Sequence, residues 1–355
     1  MSTILNIIYF VLILGVIVLV HELGHLIAAK KFGVYCKEFS IGMGPVLWKK
    51  QGAETQWSIR ALPLGGFVAM VGENEDDEDD AKLDGPYERT LPGIAKWKQV
   101  IVMAAGAFMN IMLAWALFIG VTAAQGAVAV ESQAIIEKLE PNGVAEQAGF
   151  MPGDKIIKME TADHQETISV KSDATMFMQF YPGETTFVVE RNGEEVRIVC
   201  EPTYSEENQA YLMGVYFPTN ELKEISLFEA IPYGTQRLVD SAFDIFDSLG
   251  KIVTGVGLNQ LSGPVGIFEI TSEVTQTGWI STLALVALLS INVGIFNLIP
   301  IPILDGGRIL ILLIEAIIGR KLNENLQTTI MMIGLLLILG IMVFATWNDI
   351  TRIFL

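Results

Sequence analysis

Four stretches of this chain, about Ile4 to Ala29, Val100 to Ala124, Thr282 to Ile318 and Thr329 to Thr346, are apolar over lengths near or above the roughly 20 residues a helix needs to cross a bilayer. In hydrocarbon every backbone N–H and C=O must be bonded internally, so such stretches are confined to helices. Composition agrees, with 51% of residues hydrophobic and 18% charged. The chain therefore reads as an α-helical polytopic membrane protein with about four transmembrane helices. No Lys or Arg precedes the first stretch, and it is too long for the apolar core of a signal peptide, so it is expected to stay in the membrane. The net charge of −17 comes largely from the middle third and from ENEDDEDD at 73–80, read as a solvated loop. Nucleic-acid binding, which needs basic patches, is disfavoured.

Basic residues set the orientation. Lys30, Lys31, Lys49, Lys50, Arg60 and Arg89 lie between the first two spans and Arg320 and Lys321 between the last two, whereas residues 1–20 carry none. By the positive-inside rule those loops face the cytoplasm, and the N-terminus and residues 125–280 face outward. Cys36 then lies inside and Cys200 outside, so the two cannot form a disulfide within one chain, and Cys200 would react with an impermeant reagent if it is at the surface. Two cysteines also exclude a cysteine zinc cluster.

The sequence HELGH at 21–25 interrupts the first apolar stretch. His21 lies roughly 26 Å along the helix from Ile4, inside a hydrocarbon core about 30 Å thick and close to its cytoplasmic face. His21 and His25, one turn apart, project from one face with Glu22 beside them, which is the HExxH geometry for zinc. Two histidines bonded to neighbouring helices would be the bland alternative. Three ionisable groups within five intramembrane residues cost several kcal/mol unless they are paired or ligate something, which favours the metal. A catalytic zinc needs a third protein ligand.

The third apolar stretch offers one. In NLIPIPILDGG at 297–307, Pro300 and Pro302 break helical bonding and Gly306 and Gly307 loosen the backbone. Irregular backbone at membrane depth marks a buried site or a wet cavity. Asp305 follows the break, either as a ligand or as the N-cap of the next helix. Glu315 is a weaker candidate. Asn297 could satisfy a freed backbone group or hold an extended substrate backbone.

Between the spans, AIIEKLE, PNGVAEQAGFMPGDKI, SDATMFMQF and TTFVVERNGEEVRIVCEP read as strand, short helix, strand, helix and hairpin, with Asn192-Gly193 at the turn. The order resembles a PDZ domain over about 127–203, extracytoplasmic in this topology; the bland alternative is a small α/β domain without a ligand. Residues 225–260 show apolar positions at helical spacing and are expected on the membrane surface or over a gate. His164 is read as a surface residue.

HELGH in the first span, NLIPIPILDGG in the third and PLGGFVAMVGE at 63–73 closely resemble the site-2 protease family (peptidase family M50), in particular its bacterial regulator-of-sigma-E type; IGMGP at 41–45, WKQVIVMAAGAFMN at 97–110 and LSGPVGI at 261–267 extend the likeness over nearly the whole chain. The resemblance implies zinc ligands His21, His25 and Asp305, general base Glu22, and Asn297 as a substrate-backbone contact. It also implies a membrane-associated β-segment beside the site, where substrate would add as a strand at Gly65, Gly66 and Phe67. The expected parts are 1–124 (two spans, HExxH and the β-loop), 127–203 (the PDZ-like domain), 204–280 (linker and amphipathic helix) and 281–355 (the last two spans). Ala107 departs from the proline usual in the family, which bears on the local geometry of the second span.

The expected protein is thus an intramembrane zinc metalloprotease of a bacterial cytoplasmic membrane that cuts transmembrane segments of single-pass membrane proteins, after a first cut by another protease. Anti-sigma factors and signal-peptide remnants fall within the substrates the resemblance implies, and the outer domain would keep intact proteins from the zinc. The rival is a catalytically inactive, membrane-anchored PDZ binding module, which the intact HExxH with Asp305 disfavours. A transporter would be expected to show an inverted repeat, and none is found.

Overall fold

The computed structural model describes residues 3–73, 86–206, 208, 210–253 and 261–354, so the acidic run beyond Glu73 lies outside the described residues. The chain forms two compact units, Met1–Gln125 with Ser226–Leu355, and Gly126–Ile225.

The first unit begins with α1 (Thr3–Lys31), two long strands β1 (Cys36–Gln51) and β2 (Gln56–Met70), and α2 (Lys96–Gln125). The two helices have no internal proline, and small residues let their backbones meet: a Cβ on Gly24 of α1 would lie 2.3 Å from the Ala105 carbonyl of α2. Ala107 is fully buried inside an uninterrupted α2, so the absence of proline leaves a regular helix. At the Lys96 end of α2, Lys98 sits 5.7 Å over Phe32 and 5.6 Å over Trp97, an aromatic and basic cluster of the kind that marks a membrane–water boundary.

β1 and β2 form one bent sheet. Glu38 pairs with both Ala69 and Gln56, and Ile41 with both Gly66 and Ile59, so Cys36–Ile41 lies between the two ends of β2. The far part of the sheet exposes Met43, Leu47, Trp48 and Leu62, an apolar surface unusual for a soluble sheet. Among the described residues no strand pairs with the outer edge of Gly66–Met70.

In the second unit β3 (Ala127–Val130) and β4 (Lys138–Leu139) precede α3 (Val144–Ala148), β5 (Lys155–Glu160), β6 (Gln165–Thr167), α4 (Lys171–Phe180), β7 (Thr185–Arg191) and β8 (Glu194–Cys200). The short strands β9 (Thr203–Ser205), β10 (Ala210–Leu212), β11 (Val215–Tyr216) and β12 (Glu221–Glu224) complete it. The main sheet runs β6-β5-β7-β8, and Phe177 and Met178 of α4 join Ile156, Met159, Phe187 and Val189 in its core. The expected order of elements is present. The β7–β8 turn has Asn192 at φ 54° and Gly193 at φ 85°, as a type I′ hairpin requires. Asp154, 1% exposed, takes two 2.7 Å bonds from Arg191 and one of 2.8 Å from the Met151 N–H. β3 pairs with β12, closing the two ends of the unit on each other.

Both cysteines are free and buried, and the condition set for labelling Cys200, a place at the surface, is not met: the end of β8 turns its side chain into the core. Burial pushes each thiol up to about 11. His164 is exposed, as expected, and stacks on Tyr181.

The chain then returns to the first unit with α5 (Ala230–Val253), α6 (Pro264–Thr277), α7 (Trp279–Leu298), α8 (Asp305–Ile318) and α9 (Glu324–Phe354). The amphipathic helix α5 packs Leu238, Ala242, Ile245 and Leu249 against Phe118 of α2 and Ile291 of α7. α6 is held by Asp349 of α9, whose Oδ2 accepts the Gly263 and Gly266 N–H groups at 2.9 and 2.8 Å. Helices α1, α2, α7 and α9 are long and apolar enough to cross a membrane, whereas the 14 residues of α8 are not. The third apolar stretch is thus one crossing followed by a break and a short helix, and the chain is a multi-pass membrane protein.

Candidate active site

α1, α2 and α8 converge on one point. His21 and His25, both buried, extend from α1 with their Nε2 atoms 3.2 Å apart. Asp305 Oδ2 lies 3.1 Å from His21 Nε2 and 3.3 Å from His25 Nε2. Asp305 is the first residue of α8, but its carboxylate does not cap the helix; Leu304 is the N-cap residue and makes no side-chain bond. The carboxylate points to the histidines instead, and its buried Oδ2 has no hydrogen-bond partner.

The spacing tests whether a metal fits. Four ligands at about 2.0–2.1 Å around tetrahedral zinc stand roughly 3.3 Å apart. The observed edges of 3.1, 3.2 and 3.3 Å match that triangle. The donors, two imidazole nitrogens and one carboxylate oxygen, suit zinc, and three protein ligands leave a fourth position open. These three residues are the group with metal-ligand spacing found among the described residues.

α2 supplies no ligand but backs both rings. The Val102 carbonyl accepts from His25 Nδ1 at 2.8 Å, which leaves the Nε2 lone pair free to ligate. Gly106 faces the ligand atoms so closely that a Cβ there would lie 2.4 Å from His25 Nε2 and 2.7 Å from His21 Nε2. Asn110, fully buried, has Nδ2 3.4 Å from His21 Nδ1. In the sequence Asn110 entered only as the last residue of WKQVIVMAAGAFMN, and its signal is a single amide in an apolar span; Val102 acts through its backbone and Gly106 through the absence of a side chain, and neither leaves a sequence signal of its own.

The break that delivers Asp305 is partly bonded within itself. Ile299 N–H bonds to Phe296 O, Ile301 N–H to Ile299 O and Leu304 N–H to Ile301 O, while Pro300 and Pro302 have no N–H to satisfy. Gly306 and Gly307 let α8 start against this segment, since a Cβ on either would lie 2.3 Å from a carbonyl oxygen of residues 298–301. Ile303 at φ 86° is in a region that branched side chains rarely enter.

Glu22 is half-buried beside the histidines. Gly66 of β2 runs against it: a Cβ there would come within 3.6 Å of Glu22 Cγ. Gly65 at φ 82° turns the strand just before this contact, and Phe67 packs under Arg60 at 5.0 Å. Asn297 is half-buried near the end of α7, and its amide makes no hydrogen bond among the described residues. Glu315 does not join the histidines; it is bonded by Lys96, by the Leu322 N–H at 2.9 Å and by Gln327 Nε2 at 3.1 Å. Glu73, at the end of the β-segment, pairs with Arg308, one turn beyond Asp305. Both ion pairs line a cavity of about 600 Å³ between α2, α8 and α9.

Residues 9–341 match peptidase family M50. The chain is 32% identical to the regulator of sigma-W protease RasP of Bacillus subtilis, covering 99% of each chain. It is 33% identical to a putative zinc metalloprotease of Fusobacterium nucleatum over 97% of this chain and 98% of that one, and 31% identical to one of Staphylococcus aureus over the whole of both. With a triangle of donor atoms whose spacing suits zinc and a match spanning nearly its whole length, this chain belongs to peptidase family M50 and is a zinc metalloprotease of the site-2 type.

Proposed function

We propose that His21, His25 and Asp305 hold the zinc and that Glu22 is the general base for cleavage of a peptide bond inside a membrane-embedded segment. The observation that carries this reading is the triangle of two imidazole nitrogens and one carboxylate oxygen 3.1–3.3 Å apart, with Glu22 at its side. When bound, zinc supplies a Lewis acid that polarises the scissile carbonyl and makes water more acidic. Glu22 takes the proton of the attacking water and passes it to the leaving amine. A helical amide is shielded by its own hydrogen bonds, so the substrate must be held extended. The outer edge of Gly66–Met70 and the amide of Asn297 suit that task, the first by adding the substrate as a strand with Gly65, Gly66 and Phe67 beside it.

The basic residues flanking α1 and α2, together with the cluster of Phe32, Trp97 and Lys98, support a cytoplasmic position for that end of the helices in a bacterial cell membrane, with the N-terminus outside. The second unit then faces outward; its sheet, helices and closed ends suit a PDZ-like domain. Substrates are single-pass membrane proteins of the class of anti-sigma factors or signal-peptide remnants. The relative named a regulator of sigma-W protease favours the first. The test separates ligation from proton transfer. Glu22→Gln should keep about one zinc per chain and lose cleavage of a model transmembrane substrate, whereas His25→Ala and Asp305→Ala should lose both. Cleavage by the Gln variant at a rate near wild type would sink the assignment.

A further inference from the structure

Helix α2 meets the metal site with residues four apart, Val102, Gly106 and Asn110, opposite ligands that are also four apart on α1. Val102 serves His25, Gly106 leaves room between the rings, and Asn110 lies at His21. Neutral imidazole has one lone-pair nitrogen, so a His21 that ligates through Nε2 must carry its proton on Nδ1. Water is scarce at this depth, and that N–H needs an acceptor. The atom facing it is Asn110 Nδ2 at 3.4 Å, while Asn110 Oδ1 is buried without a partner. Half a turn of the amide exchanges the two and places an acceptor where the proton is. The Asn110 main chain is fixed from the other side, its carbonyl accepting from Ser290 Oγ at 2.8 Å.

We propose that Asn110 is the positioning residue of His21: its Oδ1 accepts the Nδ1 proton, locks the tautomer that leaves Nε2 free, and matches on His21 what the Val102 carbonyl does for His25. The inference rests on the zinc assignment above. It predicts that the acceptor, not the volume, of Asn110 sets zinc affinity, with an expected effect of about 10–100-fold for loss of such a partner.

Zinc affinity of the detergent-purified full chain, measured by chelator competition, tests it, together with the visible spectrum of the cobalt-substituted protein. Asn110→Leu keeps the size and removes the acceptor, and should weaken zinc about 10–100-fold and alter the cobalt bands. Asn110→Asp keeps an acceptor at the same place and should hold zinc within about threefold of wild type on the same reasoning. Asn110→Ala serves if the Leu variant does not fold, and should behave as Leu does. Wild-type affinity in the Leu or Ala variant would overturn the proposal, and so would equal loss in the Leu and Asp variants, which would make the role one of packing. Wild-type protein and His21→Ala run alongside: if both bound zinc equally, the ligand assignment would fail rather than the role of Asn110.

Discussion

Replacing Gly106 by alanine should empty the metal site although it touches no ligand covalently and adds one methyl group. That methyl would stand 2.4 Å from His25 Nε2 and 2.7 Å from His21 Nε2, where real Cβ contacts essentially never fall below 3.0 Å. The His25 ring must therefore retreat by at least 3.0 − 2.4 = 0.6 Å. Zinc–ligand distances tolerate only about 0.2 Å. α2 cannot easily back away from α1 instead, since its Ala107 carbonyl is already seated on Gly294 of α7. The expected loss of zinc affinity is at least about 100-fold, or roughly 2.7 kcal/mol. The same helix supplies the control: a Cβ at Gly120 meets nothing within 4 Å, so Gly120→Ala should leave zinc and cleavage unchanged and favour the helix by up to about 1 kcal/mol. Metal content by mass spectrometry, chelator competition and cleavage of a model transmembrane substrate read the result. Full zinc occupancy at wild-type affinity in Gly106→Ala would refute the close approach on which the reasoning stands.

The Glu73–Arg308 pair joins the end of the β-segment to the helix that carries Asp305; because it is part-exposed it is worth about 1 kcal/mol, so Glu73→Arg should slow cleavage several-fold, and exchanging both charges should restore it. If the exchanged double variant were as slow as the single, the pair would not be the link. The topology can be read by an impermeant thiol reagent on intact cells. Cys36 and Cys200 are buried with pKa values raised to about 11, so both stay silent near neutral pH; a raised folded-state value means that rising pH favours the unfolded chain between the ordinary thiol range and about 11, and only there should they begin to react. Introduced at exposed positions, Asp163→Cys should label from outside and Lys50→Cys should not; the reverse pattern would invert the orientation.

Sequence carried the parts of this site whose chemistry is written in side chains at fixed spacing. HELGH placed two nitrogens on one face of a helix because the helical period is invariant, and the two prolines announced a break because they lack N–H groups. The same residues did not say which of its two roles Asp305 takes, because an N-cap and a ligand demand the same side chain at a helix start. The direction of the carboxylate, with α8 seating its two glycines on the carbonyls of 298–301, excludes the cap and supports the proposed ligation. Glu315 illustrates the converse: an acid in an apolar helix suggested a ligand, and the structure gives it to Lys96 and the α8–α9 turn. Whether Cys200 reaches the surface depended on strand phase: β8 alternates its faces and its last residue falls on the core side.

The division of labour among the three helices follows from the solvent. In water a ligand triangle could be tuned by flexible side chains and bridging waters, but inside a membrane each misplaced polar group costs several kcal/mol, so positions are fixed by backbone instead. α1 sets the distance between His21 and His25 through its pitch. α2 offers one carbonyl, one gap and one amide at the same pitch from the facing side. α8 has to begin, rather than pass, at the site, because the positive end of a helix favours the carboxylate that its first residue presents. A continuous third span would have placed Asp305 mid-helix, with neither that field nor the freedom to turn toward α1. The break therefore frees the Asp305 carboxylate to turn toward α1, and the strain held at Ile303, two residues upstream, is borne where that carboxylate is aimed.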